Sequence, residues 1–244
     1  ERSVEVGRIR STVGCVLHLV ELEVRAGRLD DAEAFAAEVE HLDRQLRGDL
    51  CGEWYPSGLV AVHLGRVDDA RRILHDGIEY TRSVESTIWL SHQLGALGHL
   101  ELALGNYEAA RDVLVEVVPI LRGTGLGEWS VHPVHPDAIE ALVGLGELDA
   151  AVALTEELEQ YGRLLGRPWG LATAARSVAL VASARGATEE ALEAVERALV
   201  EHARLDWPLE HARTLLVAGR ILRRLGRRRD ARARLDAARA IFAS

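Results

Sequence analysis

The stretch Gly105-Asn-Tyr-Glu-Ala-Ala110 recurs in six versions along the 244 residues of this chain. In each version a glycine is followed five residues later by an alanine, and an acidic or polar stretch lies between them. The glycines are 38 to 41 residues apart, a period typical of helical repeat arrays. The twelve positions are Gly27, Gly65, Gly105, Gly146, Gly186 and Gly226, with Ala32, Ala70, Ala110, Ala151, Ala191 and Ala231.

These two residue types predict the local structure of each repeat. Apolar residues recur three and four positions apart on both sides of each glycine, which indicates paired helices. Glycine tolerates the left-handed conformation in which many helices end. Alanine is small enough for the place where two antiparallel helices approach just after their turn. The sequence therefore predicts an all-α fold, a right-handed superhelical solenoid of about six antiparallel helix pairs.

The most irregular stretch is 122–136, which contains three glycines and two prolines. Such a stretch favours loops over helix. We expect residues 1–244 to form a single solenoid domain with a possible break at 122–136.

The composition excludes several classes of protein. The chain contains no Lys, no Met and two cysteines, so neither a disulfide framework nor a cysteine zinc site is expected. No run of apolar residues approaches the length of a membrane span, and we expect a cytoplasmic protein with no membrane contact.

The net charge is −9, but residues 207–244 hold ten Arg against three acids (+7), which leaves −16 for the remainder. The chain begins at Glu1 rather than Met, and we expect it to be a piece of a longer protein.

The turn signature, in particular Gly105-Asn-Tyr-Glu-Ala-Ala110, resembles that of tetratricopeptide repeats (TPRs). The resemblance departs from the family in its period, which is near 40 here against about 34 in the standard repeat.

Residues 165–244 resemble something narrower, the C-terminal repeat region of large ATP-binding LuxR-type transcriptional regulators of actinobacteria. The resemblance is carried by Arg167-Pro-Trp-Gly-Leu-Ala-Thr-Ala-Ala-Arg176, Glu210-His-Ala-Arg-Thr-Leu-Leu216 and Gly219-Arg-Ile-Leu-Arg-Arg-Leu-Gly226. In such regulators an NTPase module precedes the repeats and a helix-turn-helix DNA-binding module follows them. Neither module is in this chain, which has no phosphate-binding G-x-x-x-x-G-K-[ST] motif.

This resemblance implies an effector-sensing, protein-interaction and oligomerisation domain that is not itself an enzyme. Its partner would be another protein, a second copy of itself or a small-molecule effector, with no direct contact to nucleic acid. The alternative is a stand-alone TPR adaptor that binds a peptide or partner protein in its concave groove.

In tetratricopeptide arrays the first helix of each pair lines the concave face. Counting from the turn glycines predicts groove positions that could bind carboxylate or phosphate groups, and a tryptophan in the irregular stretch could add a stacking surface. These candidates are His92, His99, Arg176, Arg213, Arg220 and Trp129. The opposing interpretation is a solvated inner face with intramolecular ion pairs.

Three other motifs carry no site in our interpretation. The loop Gly123-Thr-Gly125-Leu-Gly127 lacks the lysine of a phosphate-binding loop. The pair His132 and His135 has only Asp137 and Glu140 as nearby acids, and no cysteine or acidic cluster completes a set of four metal ligands. The arginines at 223–229 have no interleaved aromatic residues and are expected to form a solvated face. We expect no cofactor, no metal and no catalytic residue.

Overall fold

A computed structural model describes residues 2–46, 54–124 and 133–243, with side chains for residues 11–45, 54–123 and 133–243. These residues form twelve α-helices and no strand. The helices are α1 (Arg2–Ala26), α2 (Leu29–Leu46), α3 (Trp54–His63), α4 (Val67–Ser83), α5 (Thr87–Ala103), α6 (Tyr107–Thr124), α7 (Val134–Leu145), α8 (Leu148–Leu165), α9 (Pro168–Ala184), α10 (Thr188–His202), α11 (Pro208–Arg224) and α12 (Arg228–Phe242).

The helices are arranged as six consecutive pairs, and a signature glycine joins the two helices of each pair. All six glycines have left-handed backbone, with φ between 69° and 81°. At Gly105 the N–H donates to the carbonyl of Leu102 (3.0 Å), and the N–H of Asn106 donates to that of Glu101 (2.9 Å). These two bonds close the end of α5 as a Schellman motif. The signature alanines are buried where the two helices of each pair meet, and none is more than 3% exposed.

Close packing within each pair depends on two positions, seven residues before the turn glycine and nine residues after it. A Cβ on Gly98 would lie 2.4 Å from Cγ of Leu114, and Gly58 and Gly219 are similarly close to their own leucines. Where the first position is larger, the second is smaller. The six pairs are Val20/Ala36, Gly58/Leu74, Gly98/Leu114, Ile139/Thr155, Ala179/Val195 and Gly219/Leu235. The combined size of the two side chains therefore matters more than a small residue at one position.

Successive pairs stack side by side, so that each helix packs against its chain neighbours along the whole array. The predicted break at 122–136 falls largely outside the described residues, and so do Gly125, Gly127, Trp129 and His132. The two helices that flank this gap, α6 and α7, pack against each other.

One contact joins the two ends of the array. Helix α1 contacts α11, and the guanidinium of Arg25 lies 5.1 Å from the ring centre of Trp207. A Cβ on Gly27 would lie 3.3 Å from Cγ of Pro208. The first helices of the six pairs therefore surround a central space, and the ring that they form is completed by the contact between α1 and α11.

Among the described helices, none combines the length and the apolar character that a membrane span requires.

Candidate functional site: a cavity inside the superhelix

The central space is a cavity whose wall takes side chains from the first helix of every pair. With its open side included it measures about 910 Å³, and the cavity volume proper is about 120 Å³. That space holds roughly ten waters. The wall is formed by Glu21, Val24, Arg25, Tyr55, Leu59, His63, Ser91, His92, Gly95, Ala96, His99, Pro133, Val134, Pro136, Asp137, Trp169, Trp207, Leu209, Glu210 and Arg213.

The distance between the lining residues and the turn glycine of their pair increases from the first repeats to the last. On α1 and α3 the lining extends to the end of the helix, where Arg25 and His63 each stand two residues before their turn glycine. Near the other end of the array the lining residues come early, because Trp169 stands 17 residues before Gly186 and Arg213 stands 13 before Gly226. A groove position counted at a constant distance from the turn glycine therefore faces the cavity in some repeats and not in others.

A charged cluster centred on Arg213 forms one side of the wall. Its guanidinium donates to Oδ1 of Asp137 (2.6 Å), Oε2 of Glu140 (3.0 Å) and Oε1 of Glu210 (2.9 Å). Arg176 lies behind the wall at 1% exposed and pairs with Glu210 at 2.8 Å. Three carboxylates thus share two guanidiniums, and this compensation lets them stay ionised away from water.

The pKa directions in this cluster follow from that arrangement. Burial opposes ionisation of Asp137, but the charges of Arg213 and His99 outweigh it and hold the pKa of Asp137 well below its usual value. Burial likewise opposes ionisation of Glu210, but Arg176 and Arg213 lower its pKa to about 2. Burial alone would lower the pKa of Arg213, yet the surrounding carboxylates raise it well above the usual value.

Two histidines continue the cluster toward α3. Nδ1 of His99 lies 2.7 Å from Oδ2 of Asp137, and the His99 ring stacks on His63 with centroids 5.3 Å apart. Burial, followed by the charges of His99 and Arg213, lowers the pKa of His63 to about 3. His63 is therefore a neutral ring at pH 7.

A second polar group lies on the side of α1 and α3. The hydroxyl of Tyr55 donates to Oε1 of Glu21 (3.1 Å), and Nδ1 of His18 lies 3.2 Å from Oε2 of the same carboxylate. Burial and then the charge of Glu21 raise the pKa of Tyr55 well above its usual value. The ring of His92 packs edge-on against Tyr55, with centroids 4.7 Å apart.

Between the two polar groups the wall is apolar. It consists of aliphatic side chains from five helices and the ring of Trp207 in front of α11, namely Val24, Leu59, Ala96, Val134, Leu209 and Trp207. The cavity therefore offers an apolar surface bounded by ion pairs, the usual composition of a small-molecule pocket.

The structure brings three of the predicted groove residues together, because His92, His99 and Arg213 all line the cavity. It does not place Arg176 or Arg220 in the wall. Arg176 is buried between α9 and α11, where it also donates to Oγ1 of Thr214 (3.3 Å), and Arg220 is exposed on α11 outside the cavity.

Other wall residues were missed by sequence reasoning, above all Glu21, Tyr55, Asp137 and Glu210. They come from helices far apart in the chain, and Asp137 is 76 residues from Arg213. No spacing rule links residues at such a separation, so the single-chain pattern held no signal for them.

The residues that the structure describes contain no group of three or more His, Cys, Asp or Glu side chains placed to hold a metal ion. His135 is fully buried, and burial lowers its pKa to about 4.

Comparison with known proteins gives the fold and not the family. No protein-family model matches the chain, and no curated protein matches it.

Three solved structures are similar to this chain over most of its length. A Rap protein complexed with competence and sporulation factor is 15% identical, with a TM-score of 0.67 over 96% of this chain and 78% of that one. BtubC from P. vanneervenii is 19% identical, with a TM-score of 0.57 and 91% of each chain covered. A single-residue variant of a putative kinesin light chain with TPR-like repeats from Podosopora anserina is 20% identical, with a TM-score of 0.51 over 78% of this chain and 93% of that one. The chain accordingly has a TPR-like solenoid fold.

Proposed function

We propose that this chain is the effector-sensing and protein-interaction domain of a larger LuxR-type transcriptional regulator, and that the effector binds in the central cavity. The observation that carries the proposal is the cavity wall, to which the first helix of all six pairs contributes. A ligand in this space contacts residues from Glu21 to Arg213, so its affinity depends on how the six repeats are positioned relative to one another.

The contact between α1 and α11 supports a sensing role. In most repeat arrays each repeat contacts its sequence neighbours alone. Here Arg25 and Trp207 join the ends of the array beside the cavity, so that occupancy can be transmitted to both termini. The Rap protein of similar fold is complexed with competence and sporulation factor, which supports a binding role for this kind of solenoid.

The proposed site is tested by filling it. Ala96 faces the cavity from α5, and Phe at this position would occupy the space of a ligand. The matched control is Ala37→Phe, because Ala37 is exposed on α2. We expect small molecules and short peptides that raise the melting temperature of the wild type to raise that of Ala37→Phe equally and that of Ala96→Phe far less. Equal shifts for both variants would place binding elsewhere.

The regulator context has its own test. The gene around this chain should encode a phosphate-binding loop upstream and a helix-turn-helix downstream. If neither is encoded, the second candidate is favoured, a TPR adaptor that binds a segment of a partner protein in the same cavity. The open side of the cavity is the observation that favours this adaptor role, since an extended segment needs an entrance.

Self-association is the remaining part of the proposal. Two apolar side chains near the ends of second helices are strongly exposed, Leu164 of α8 at 81% and Val200 of α10 at 65%. Burying them between two copies would stabilise a dimer. Analytical ultracentrifugation across a salt series should then show a dimer that persists at high salt, and a monomer throughout would contradict this role.

A further inference from the structure

The charged groups of the cavity wall already have partners within the chain, and the guanidinium of Arg25 lies 5.1 Å from the ring centre of Trp207. Arg213 is surrounded by Asp137, Glu140 and Glu210, and Glu21 accepts a hydrogen bond from Tyr55. A ligand carboxylate that approached Arg213 would meet these three carboxylates. A ligand ammonium that approached any of the three would meet the guanidinium.

An ionic ligand group would therefore lose its water shell without gaining a new counter-ion. Such desolvation is costly unless a partner group compensates it. An uncharged ligand avoids this cost, because the surface left to it is apolar. Leu59, Ala96, Val134 and the ring of Trp207 provide that surface.

The size of the space sets the size of the ligand. Room for roughly ten waters corresponds to a compact molecule of about ten to fifteen heavy atoms, such as a fused ring with a short substituent. The aromatic side chains of Tyr55, Trp169 and Trp207 in the wall favour a flat ring, which packs on them by stacked or edge-on contacts.

We propose that the cavity selects an uncharged, mainly apolar small molecule with a flat ring, and that its paired charges reject carboxylate and ammonium versions of the same molecule. This inference rests on the proposed function, since it assigns the chemical class of the effector at that site.

Three probes on one ring system test the selectivity at pH 7: 2-naphthalenemethanol (neutral), 2-naphthoate (anionic) and 2-naphthylmethylammonium (cationic). Isothermal titration calorimetry on the wild-type chain should give an affinity for the neutral probe at least tenfold higher than for either ion. Ala96→Phe should abolish this binding, and Ala37→Phe should preserve it.

A charge variant provides a readout that simple misfolding would not produce. Glu140→Gln removes one of the three carboxylates from Arg213 and balances the cluster at two carboxylates for two guanidiniums. We expect the affinity for 2-naphthoate to rise several-fold while that for the neutral probe stays within twofold. An unchanged preference between these two probes would overturn the assigned role of the paired charges.

The outcomes also separate this inference from the proposed function. If an ionic probe binds more tightly than the neutral one and Ala96→Phe blocks it, the site stands and the ligand class is overturned. If no probe binds, or if all bind Ala96→Phe as well as the wild type, both the ligand class and the site are overturned.

Discussion

At the scale of single residues, Gly98 illustrates how tightly the two helices of a pair are packed. A Cβ at this position would lie 2.4 Å from Leu114, so we predict that Gly98→Ala lowers the free energy of unfolding by roughly 1–3 kcal/mol. Combining it with Leu114→Val, which imitates Ala179/Val195, should recover more than half of the loss. Urea denaturation of the single and double variants measures this coupling.

Gly14→Ala is the matched control for that prediction. Gly14 lies inside α1, and a Cβ added there would meet no other atom within 4 Å, so alanine should stabilise the chain by roughly 0.5–1 kcal/mol. Equal effects at Gly14 and Gly98, or a double variant no better than Gly98→Ala, would contradict the account of complementary sizes.

Arg213 is the second single residue with a testable role, since its guanidinium pairs with three carboxylates that are largely removed from water. Arg213→Gln should cost roughly 3–5 kcal/mol at pH 7 because it leaves Asp137 and Glu140 without a guanidinium partner. The exposed ion pair of Arg82 and Glu116 supplies the comparison, and Arg82→Gln should cost less than about 1 kcal/mol.

The pH dependence of the Arg213→Gln effect has a definite sign. The folded-state pKa of Asp137 and Glu210 is lowered in the wild type, so their contribution is present above about pH 4 and is lost as the pH falls toward about 2. In the variant these carboxylates protonate more readily, so the stability difference from wild type should shrink between pH 7 and pH 4. Urea denaturation at both values checks this, and a constant difference would show that the cluster does not act through charge.

At the scale of elements, α10 carries His202, which is fully buried against α11 with neither ring nitrogen hydrogen-bonded to a described residue. Burial and then the charge of Arg176 lower its pKa to about 3. The folded state keeps this ring neutral while the unfolded chain takes up a proton below about pH 6.5. Stability must therefore fall on acidification by about 1.4 kcal/mol per pH unit for this residue.

His202→Leu should remove that contribution. Between pH 6 and pH 5 the variant should lose about 1 kcal/mol less than the wild type. Gln93→Leu is the control, since Gln93 is a buried polar side chain that does not titrate, and it should follow the wild-type slope. Thermal or urea unfolding as a function of pH decides the matter, and parallel slopes for His202→Leu and wild type would contradict a neutral His202.

At the scale of the whole molecule, the contact between α1 and α11 turns a linear array into a closed one. We predict that Trp207→Ala increases hydrogen exchange in residues 11–26 of α1, although these residues are distant in sequence. Trp54→Ala is the matched control, because Trp54 packs against Tyr80 within its own repeat, with ring centroids 4.8 Å apart. If Trp54→Ala changes α1 as much as Trp207→Ala does, the closure has no special role.

The parts that could be predicted from sequence are those fixed within one repeat. The turn glycines, with the alanines five residues later, predict the helix pairs, because the left-handed turn and the close approach after it are local requirements. The cavity depends on how small rotations accumulate over six repeats. Arg176 and Arg213 were both predicted to lie in the groove, yet they stand 10 and 13 residues before their turn glycines, and the structure buries the first between helices and places the second in the wall.

The claim that the inside of the superhelix is the binding site is tested most directly by a crystal structure of the chain grown with 2-naphthalenemethanol. We expect electron density for the ring between Leu59, Ala96 and Trp207, with the ion pairs of Arg213 intact. Density for the probe on the outer helices, with the central cavity empty, would contradict it.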